Sequence, residues 1–177
     1  MDKKQWIFAI LLIILVAVGV WVWQSFSSPK IAVTNFNSCA ATGQPVMESY
    51  PRQCAYGGKT FSEDIGNALD KTDLIQVTAP SPNQQISSPL TITGQAVGGW
   101  YFEASFPVKL FDASNNLLAE GVAQAQSDWM TPSFVPFTVT LNFALQPPSS
   151  TGTLILYKDN PSGLPANDDQ LTIPITF

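Results

Sequence analysis

The spacing of apolar residues divides this 177-residue chain into three parts. The first is an unbroken apolar run of 18 residues, Trp6 to Trp23. The second, residues 35–73, is poor in apolar positions and holds both cysteines. In the third, residues 74–177, apolar and polar positions alternate with period two. Period two means strands that bury one face and wet the other.

Within the third part the expected strands follow one another with turn residues between them. Ile75 and Val77 alternate, and Ala79-Pro-Ser-Pro-Asn83 turns the chain. Leu90 to Gly94, Phe106 to Phe111, Leu117 to Ala125, Phe134 to Phe143 and Thr153 to Tyr157 come next. The last strand places Leu171, Ile173, Ile175 and Phe177 on one face and Thr172, Pro174 and Thr176 on the other. Several short strands separated by turn signals predict a sandwich or barrel of about seven strands. Pro174 cannot donate to a ladder, so an edge or a bulge is expected there. The span of 104 residues is enough to fold around its own core, and it lacks cysteine, so packing alone must hold it. Its densest aromatic stretch runs from Trp100 to Asp112; Gly98 to Glu103 reads as the loop that shows an aromatic surface.

The first part reads as a membrane anchor, residues 1–30 including a tether. As a helix it reaches about 27 Å, close to the ~30 Å hydrocarbon core. Trp6 stands at one interface and Trp21 and Trp23 at the other, with Lys3 and Lys4 before the run. The positive-inside rule then puts the N-terminus in the cytoplasm and the remainder outside, in a single pass of the cell membrane. A cleaved signal peptide is the alternative; its apolar core would be shorter, although Ser25-Phe-Ser27 offers a small-x-small site.

In the second part Cys39 and Cys54 stand 15 residues apart. Outside the membrane an even count reads as a disulfide. Closing that loop stabilises a segment too small for a core of its own by about 3 kcal/mol. A redox pair would be spaced Cys-x-x-Cys. Gly58-Lys59-Thr60 lacks the leading glycine of a phosphate loop, and Ser27-Ser-Pro-Lys30 lies in a tether rather than opening a helix. Glu63 to Asp73, with Ile65 and Leu69 four apart, reads as a short helix or a linker. Cys54-Ala-Tyr-Gly-Gly-Lys-Thr-Phe61 resembles the centre of Kazal-type protease inhibitors, but four of the six cysteines of that family have no counterpart. The segment is more similar to short Gly- and Cys-containing modules of exported bacterial proteins.

Composition narrows the function. The chain contains no histidine, which removes the commonest general base, the usual zinc ligand and every Ser-His or Cys-His pair. No catalytic constellation and no cofactor motif is found, so an enzyme is not expected. Leaving out Asp2, Lys3 and Lys4, which precede the apolar run, six basic residues face twelve acidic ones. Nucleic acid needs a basic face and is not an expected partner.

Four motifs carry a family resemblance: Ser87-Ser-Pro-Leu-Thr-Ile-Thr-Gly-Gln-Ala96, Trp100-Tyr-Phe-Glu-Ala-Ser-Phe-Pro-Val108, Asp128-Trp-Met130 and Lys158-Asp-Asn-Pro-Ser-Gly163. Together they resemble the immunoglobulin-like domain of bacterial spore germination proteins. The resemblance implies an all-β, immunoglobulin-like sandwich over residues 74–177, exported to the cell envelope and without catalytic residues. It does not carry a role in germination, because similar domains occur in bacteria that make no spores.

The expected function is a non-catalytic, membrane-anchored envelope protein that presents this sandwich as a binding or assembly module. The partner would be another envelope protein or a cell-wall polysaccharide. A structural spacer without a ligand is the alternative. The candidate binding surface is Trp100, Tyr101, Glu103, Trp129, Lys158, Asp159 and Asn160. Aromatic rings suit such a surface, although Phe102 and Trp129 are favoured for the core. Glu103 is expected to pair with Lys109 or Lys158. Asp159, Asn160, Asn167, Asp168 and Asp169 offer oxygen ligands for calcium, but their spacing is not that of an EF-hand, and turns use the same residues for local reasons, so no metal is assigned.

Overall fold

The computed structural model describes residue 6 and residues 13–16, 32–147 and 150–177. Most of the apolar run Trp6–Trp23, Lys3 and Lys4 and most of the tether lie outside them. No helix among the described residues is long and apolar enough to cross a membrane. The chain divides into two compact units, residues 1–47 with 54–61 and residues 48–53 with 62–177.

The smaller unit is built around the two cysteines. Helix α1, Phe36–Ala40, starts at a capping box: Asn35 Oδ1 accepts from Ser38 N–H at 2.8 Å, and Ser38 Oγ accepts from Asn35 N–H at 3.0 Å. Both contacts satisfy amides that a helix start leaves open. Strands β1 (Val46–Met47), β2 (Gln53–Tyr56) and β3 (Lys59–Ser62) form a sheet in that order. Gly57 and Gly58, both at positive φ, make the two-residue turn between β2 and β3, a backbone that two glycines adopt without a Cβ clash. The disulfide Cys39–Cys54 joins α1 to β2, its Cα atoms 6.0 Å apart. Both cysteines are fully buried, with Phe36 beside them and Val33, Val46 and Phe61 packed around.

In the larger unit the seven strands are β4 (Ile75–Ala79), β5 (Leu90–Val97), β6 (Ser105–Asp112), β7 (Leu117–Ala125), β8 (Phe134–Leu141), β9 (Thr151–Tyr157) and β10 (Gln170–Thr176). They form one antiparallel sheet in the order β10-β9-β6-β7-β8-β5-β4. Strands β7 and β8 share only two residue pairs, Gln124–Thr138 and Ala125–Phe137. At this thin seam the sheet turns back on itself. Phe106 of β6 and Phe137 of β8 are not ladder neighbours, yet their rings meet edge-on at 5.0 Å. The two arms therefore enclose one core, in keeping with a β-sandwich. Alternation explains its membership: Phe106, Val108 and Leu110 point in from β6, Leu154 and Leu156 from β9, and Leu171, Ile173 and Ile175 from β10.

Strand β10 lies at the edge of the sheet, as Pro174 predicts. Its free side is nonetheless covered. Asn67 donates its N–H to Thr172 O and accepts from Thr172 N–H through Oδ1, at 3.3 and 2.7 Å. Asn83 N–H donates to Pro174 O, Thr176 N–H to Gln84 O and Ile86 N–H to Thr176 O. The loop after β4 thus nearly closes the sheet, and the groups that invite edge-to-edge pairing are used up.

Residues 48–53 and 62–73 belong to the larger unit, so it begins before Leu74. Of the short helix or linker expected over Glu63–Asp73, the helical part is only a 3-10 turn at Leu69–Lys71. Ile65 is buried whereas Leu69 is 47% exposed, so the two do not share a face. The Arg52 guanidinium grips Glu63 with two bonds, Nε to Oε2 at 2.8 Å and Nη2 to Oε1 at 2.6 Å. Asn83 Nδ2 donates to the same Oε1 at 3.0 Å. This carboxylate is buried, and the side-chain bond from Arg52 holds its pKa below the ordinary carboxylate range.

Candidate functional site

The antiparallel order brings four segments to one end of the sheet: residues 66–74 before β4, and the loops β5–β6, β7–β8 and β9–β10. Every candidate surface residue lies on the last three. Backbone bonds tie the loops together. Gly98 N–H donates to Thr131 O at 3.1 Å, Ala125 N–H to Ala104 O at 2.8 Å and Asp159 N–H to Trp100 O at 3.0 Å. Position 98 admits only glycine, because a Cβ there would lie 2.1 Å from Thr131 O and 2.2 Å from Trp129 O.

Trp100 and Tyr101 are not surface residues. They are 1% and 4% exposed and belong to the core. A 3-10 turn at Gly98–Trp100 breaks the strand alternation, so two consecutive side chains both point inward. Tyr101 Oη donates to Val135 O at 2.7 Å, and its ring meets Phe106 edge-on at 5.2 Å. Burial pushes the Tyr101 phenol up to about 12. The indole N–H of Trp100 is buried without an acceptor among the described residues.

Phe102, expected in the core, is instead 41% exposed. It opens a tight turn closed by Phe102 N–H to Ser105 O and Ser105 N–H to Phe102 O, at 3.0 and 3.1 Å. Glu103 and Ala104 sit at its tip with φ of 49° and 62°. That backbone suits Asn-Gly, and two L-residues with larger side chains hold it at a cost. Glu103 is exposed and makes no ion pair with Lys109 or Lys158; Lys109 instead lies 3.7 Å from Glu120. Trp129 is half-buried against the core, while its neighbour Met130 is 77% exposed.

Lys158, Asp159 and Asn160 are half-buried at the start of the β9–β10 loop. Several of its oxygen atoms already have partners, most of them within the loop. Asn160 Nδ2 donates to Leu164 O at 2.9 Å and to Asp168 Oδ1 at 2.7 Å, and Asn160 Oδ1 accepts from Ser162 Oγ. Asp169 Oδ1 accepts from Lys71 Nζ at 2.5 Å. No group of three or more acidic, cysteine or histidine side chains able to hold a metal occurs among the described residues. The turn chemistry of this loop is local, as its composition predicts.

Beside this loop stand groups that pattern reading did not select: Asn67, Lys71, Tyr157 and Gln170. The parity of β9 carried a signal for Tyr157, since Leu154 and Leu156 point inward and Tyr157 therefore outward. Lys71 and Asn67 are about a hundred residues away in sequence and no pattern joins them to it.

Comparison with curated proteins and with solved structures finds no match. One family profile does match, the immunoglobulin-like domain of bacterial spore germination, over residues 74–164. The matched stretch covers strands β4 to β9 and the start of the β9–β10 loop, and β10 completes the same sheet beyond it. The family is a non-catalytic domain type. With 91 of its 177 residues matched, the chain belongs to the family of the immunoglobulin-like domain of bacterial spore germination, Gmad2.

Proposed function

We propose that this is a non-catalytic cell-envelope protein, held in the membrane by its N-terminal apolar run, that presents an immunoglobulin-like sandwich outside the cell as a binding or assembly module. One observation carries the reading. Three loops at one end of the sheet are fixed to one another by backbone bonds, yet Phe102, Met130 and Leu164 on them are 41%, 77% and 60% exposed. Loops held by a rigid scaffold are where binding groups are usually carried. Large apolar side chains on a pinned loop end suit a partner that covers them. That partner is another envelope protein or a wall polysaccharide.

The reading is tested by placing a photocrosslinking residue at Phe102, at Leu164 and at Ser114 in intact cells. Ser114 sits in the β6–β7 turn, at the other end of the sheet. Adducts from Phe102 and Leu164, and none from Ser114, are expected. Absence of adducts from all three positions would leave a spacer with no ligand.

A further inference from the structure

The β9–β10 hairpin and the segment before β4 border an open cleft of about 490 Å³. Small-ligand sites run from about 300 to 1,000 Å³. Tyr157, the last residue of β9, and Gln170, the first of β10, are cross-strand partners, and both line it. Lys71, Lys158, Asp168 and Asp169 complete most of the wall.

This wall is already fixed in place. Asn67 Nδ2 donates to Gln170 O at 3.0 Å, Lys158 N–H donates to Asp169 O at 2.8 Å, and Lys71 pairs with Asp169. Two ammonium groups and two carboxylates balance, so the cleft offers a free ion no net charge to bind.

What remains is hydrogen-bonding capacity around one aromatic ring. Lys158 Nζ donates only to Asn167 O, at 3.3 Å, which leaves two of its N–H groups unused. Asp168 accepts from Asn160 through Oδ1 and keeps Oδ2. Gln170 uses Nε2 on Thr172 Oγ1 at 3.4 Å and keeps Oε1. Unused donors and acceptors thus belong to residues that line one cleft, and a hydroxyl is the group that serves both. The Tyr157 ring, with Lys109 Nζ over one face at 5.9 Å from its centroid, adds through its other face an apolar area with a polar tip.

We propose that this cleft is a subsite for a neutral, hydroxyl-rich glycan, with the Tyr157 ring against the C–H face of a sugar and Lys158, Asp168 and Gln170 on its hydroxyls. The inference rests on the reading of the sandwich as a binding module and names the chemistry of its ligand.

The test is saturation-transfer NMR on the full chain in micelles of a sugar-free detergent. The probes are chitotetraose, cellotetraose and an acidic tetrapeptide. Saturation transfer to at least one tetrasaccharide is expected, with affinity about tenfold weaker in Tyr157→Ala. Gln170→Ala, at an exposed position, should weaken it in the same direction without a change in melting temperature, and Ser114→Ala, in the β6–β7 turn at the other end of the sheet, should leave it unchanged. Pelleting with isolated sacculi, before and after their stem peptides are removed, separates polymeric wall glycan from free oligosaccharide as the source. No transfer to either sugar at millimolar concentration, transfer that neither cleft variant reduces, or binding of the tetrapeptide alone would overturn the inference. Crosslinks from Phe102 and Leu164 to a protein without sugar binding would overturn the glycan assignment only; absence of both would remove the binding-module reading as well.

Discussion

Replacing Tyr101 by Phe removes one hydroxyl from a buried site and nothing else. That hydroxyl donates to Val135 O at 2.7 Å and joins the β5–β6 loop to β8. A neutral hydrogen bond contributes about 0.5–1.5 kcal/mol net. In a domain of this size 1 kcal/mol corresponds to about 4–8 °C, so melting should fall by roughly 2–12 °C at pH 7. The same residue gives a second readout with a defined sign. Burial pushes the folded phenol up to about 12, above the ordinary tyrosine value of about 10. A raised folded pKa contributes stability that is fully present below pH ~10 and is lost as the pH rises through about 12. The loss is on the order of 2–3 kcal/mol across that window. Chemical denaturation at pH 7 and at steps from 10 to 12 should show this in the wild type and not in Tyr101→Phe. Tyr157→Phe is the control, because its hydroxyl is at a half-exposed strand end. Equal midpoints at pH 7 together with parallel alkaline curves for wild type and Tyr101→Phe would refute the reasoning.

Other expectations follow from the same geometry. Changing Glu103-Ala104 to Asn-Gly relieves two left-handed L-residues at φ 49° and 62° and should stabilise the domain by about 1 kcal/mol, read as a higher denaturation midpoint. Arg52→Ala should cost about 1.5–3 kcal/mol, because it removes a charged pair of bonds from buried Glu63. The depressed pKa of Glu63 gives the sign: its contribution is present above about pH 4.5 and is lost as the pH falls through the folded value, so wild type and Arg52→Ala should converge in acid. Reduction of Cys39–Cys54 should release about 3 kcal/mol of constraint from the small unit alone. Hydrogen exchange should then rise over residues 36–47 and 54–61 and stay unchanged in β4–β10.

The strands were legible because each buries one face, and alternation records that directly. All seven lie where period two places them, with ends shifted by up to three residues. Pro174 announced its edge for an equally local reason. The inward turn of Trp100 and Tyr101 was not legible, because it depends on a 3-10 turn that Gly98 permits only through its contact with the β7–β8 loop. Phe102 is apolar and of a residue type that favours the core, yet the turn it opens carries it outward. Glu63 illustrates the same limit: its acidic neighbours resemble a linker, and only Arg52 and Asn83, distant in sequence, make it a buried anchor. The cleft beside Tyr157 joins residues 67, 71, 157 and 170, a set that no local pattern connects.

Display of the sandwich outside the membrane is the claim on which the proposed function depends. It is tested most directly by labelling Ser162→Cys, at an exposed position of the β9–β10 loop, with a membrane-impermeant maleimide in intact cells. The account predicts labelling without permeabilisation, on a protein that stays with the membrane fraction. Labelling that appears only after lysis would contradict it.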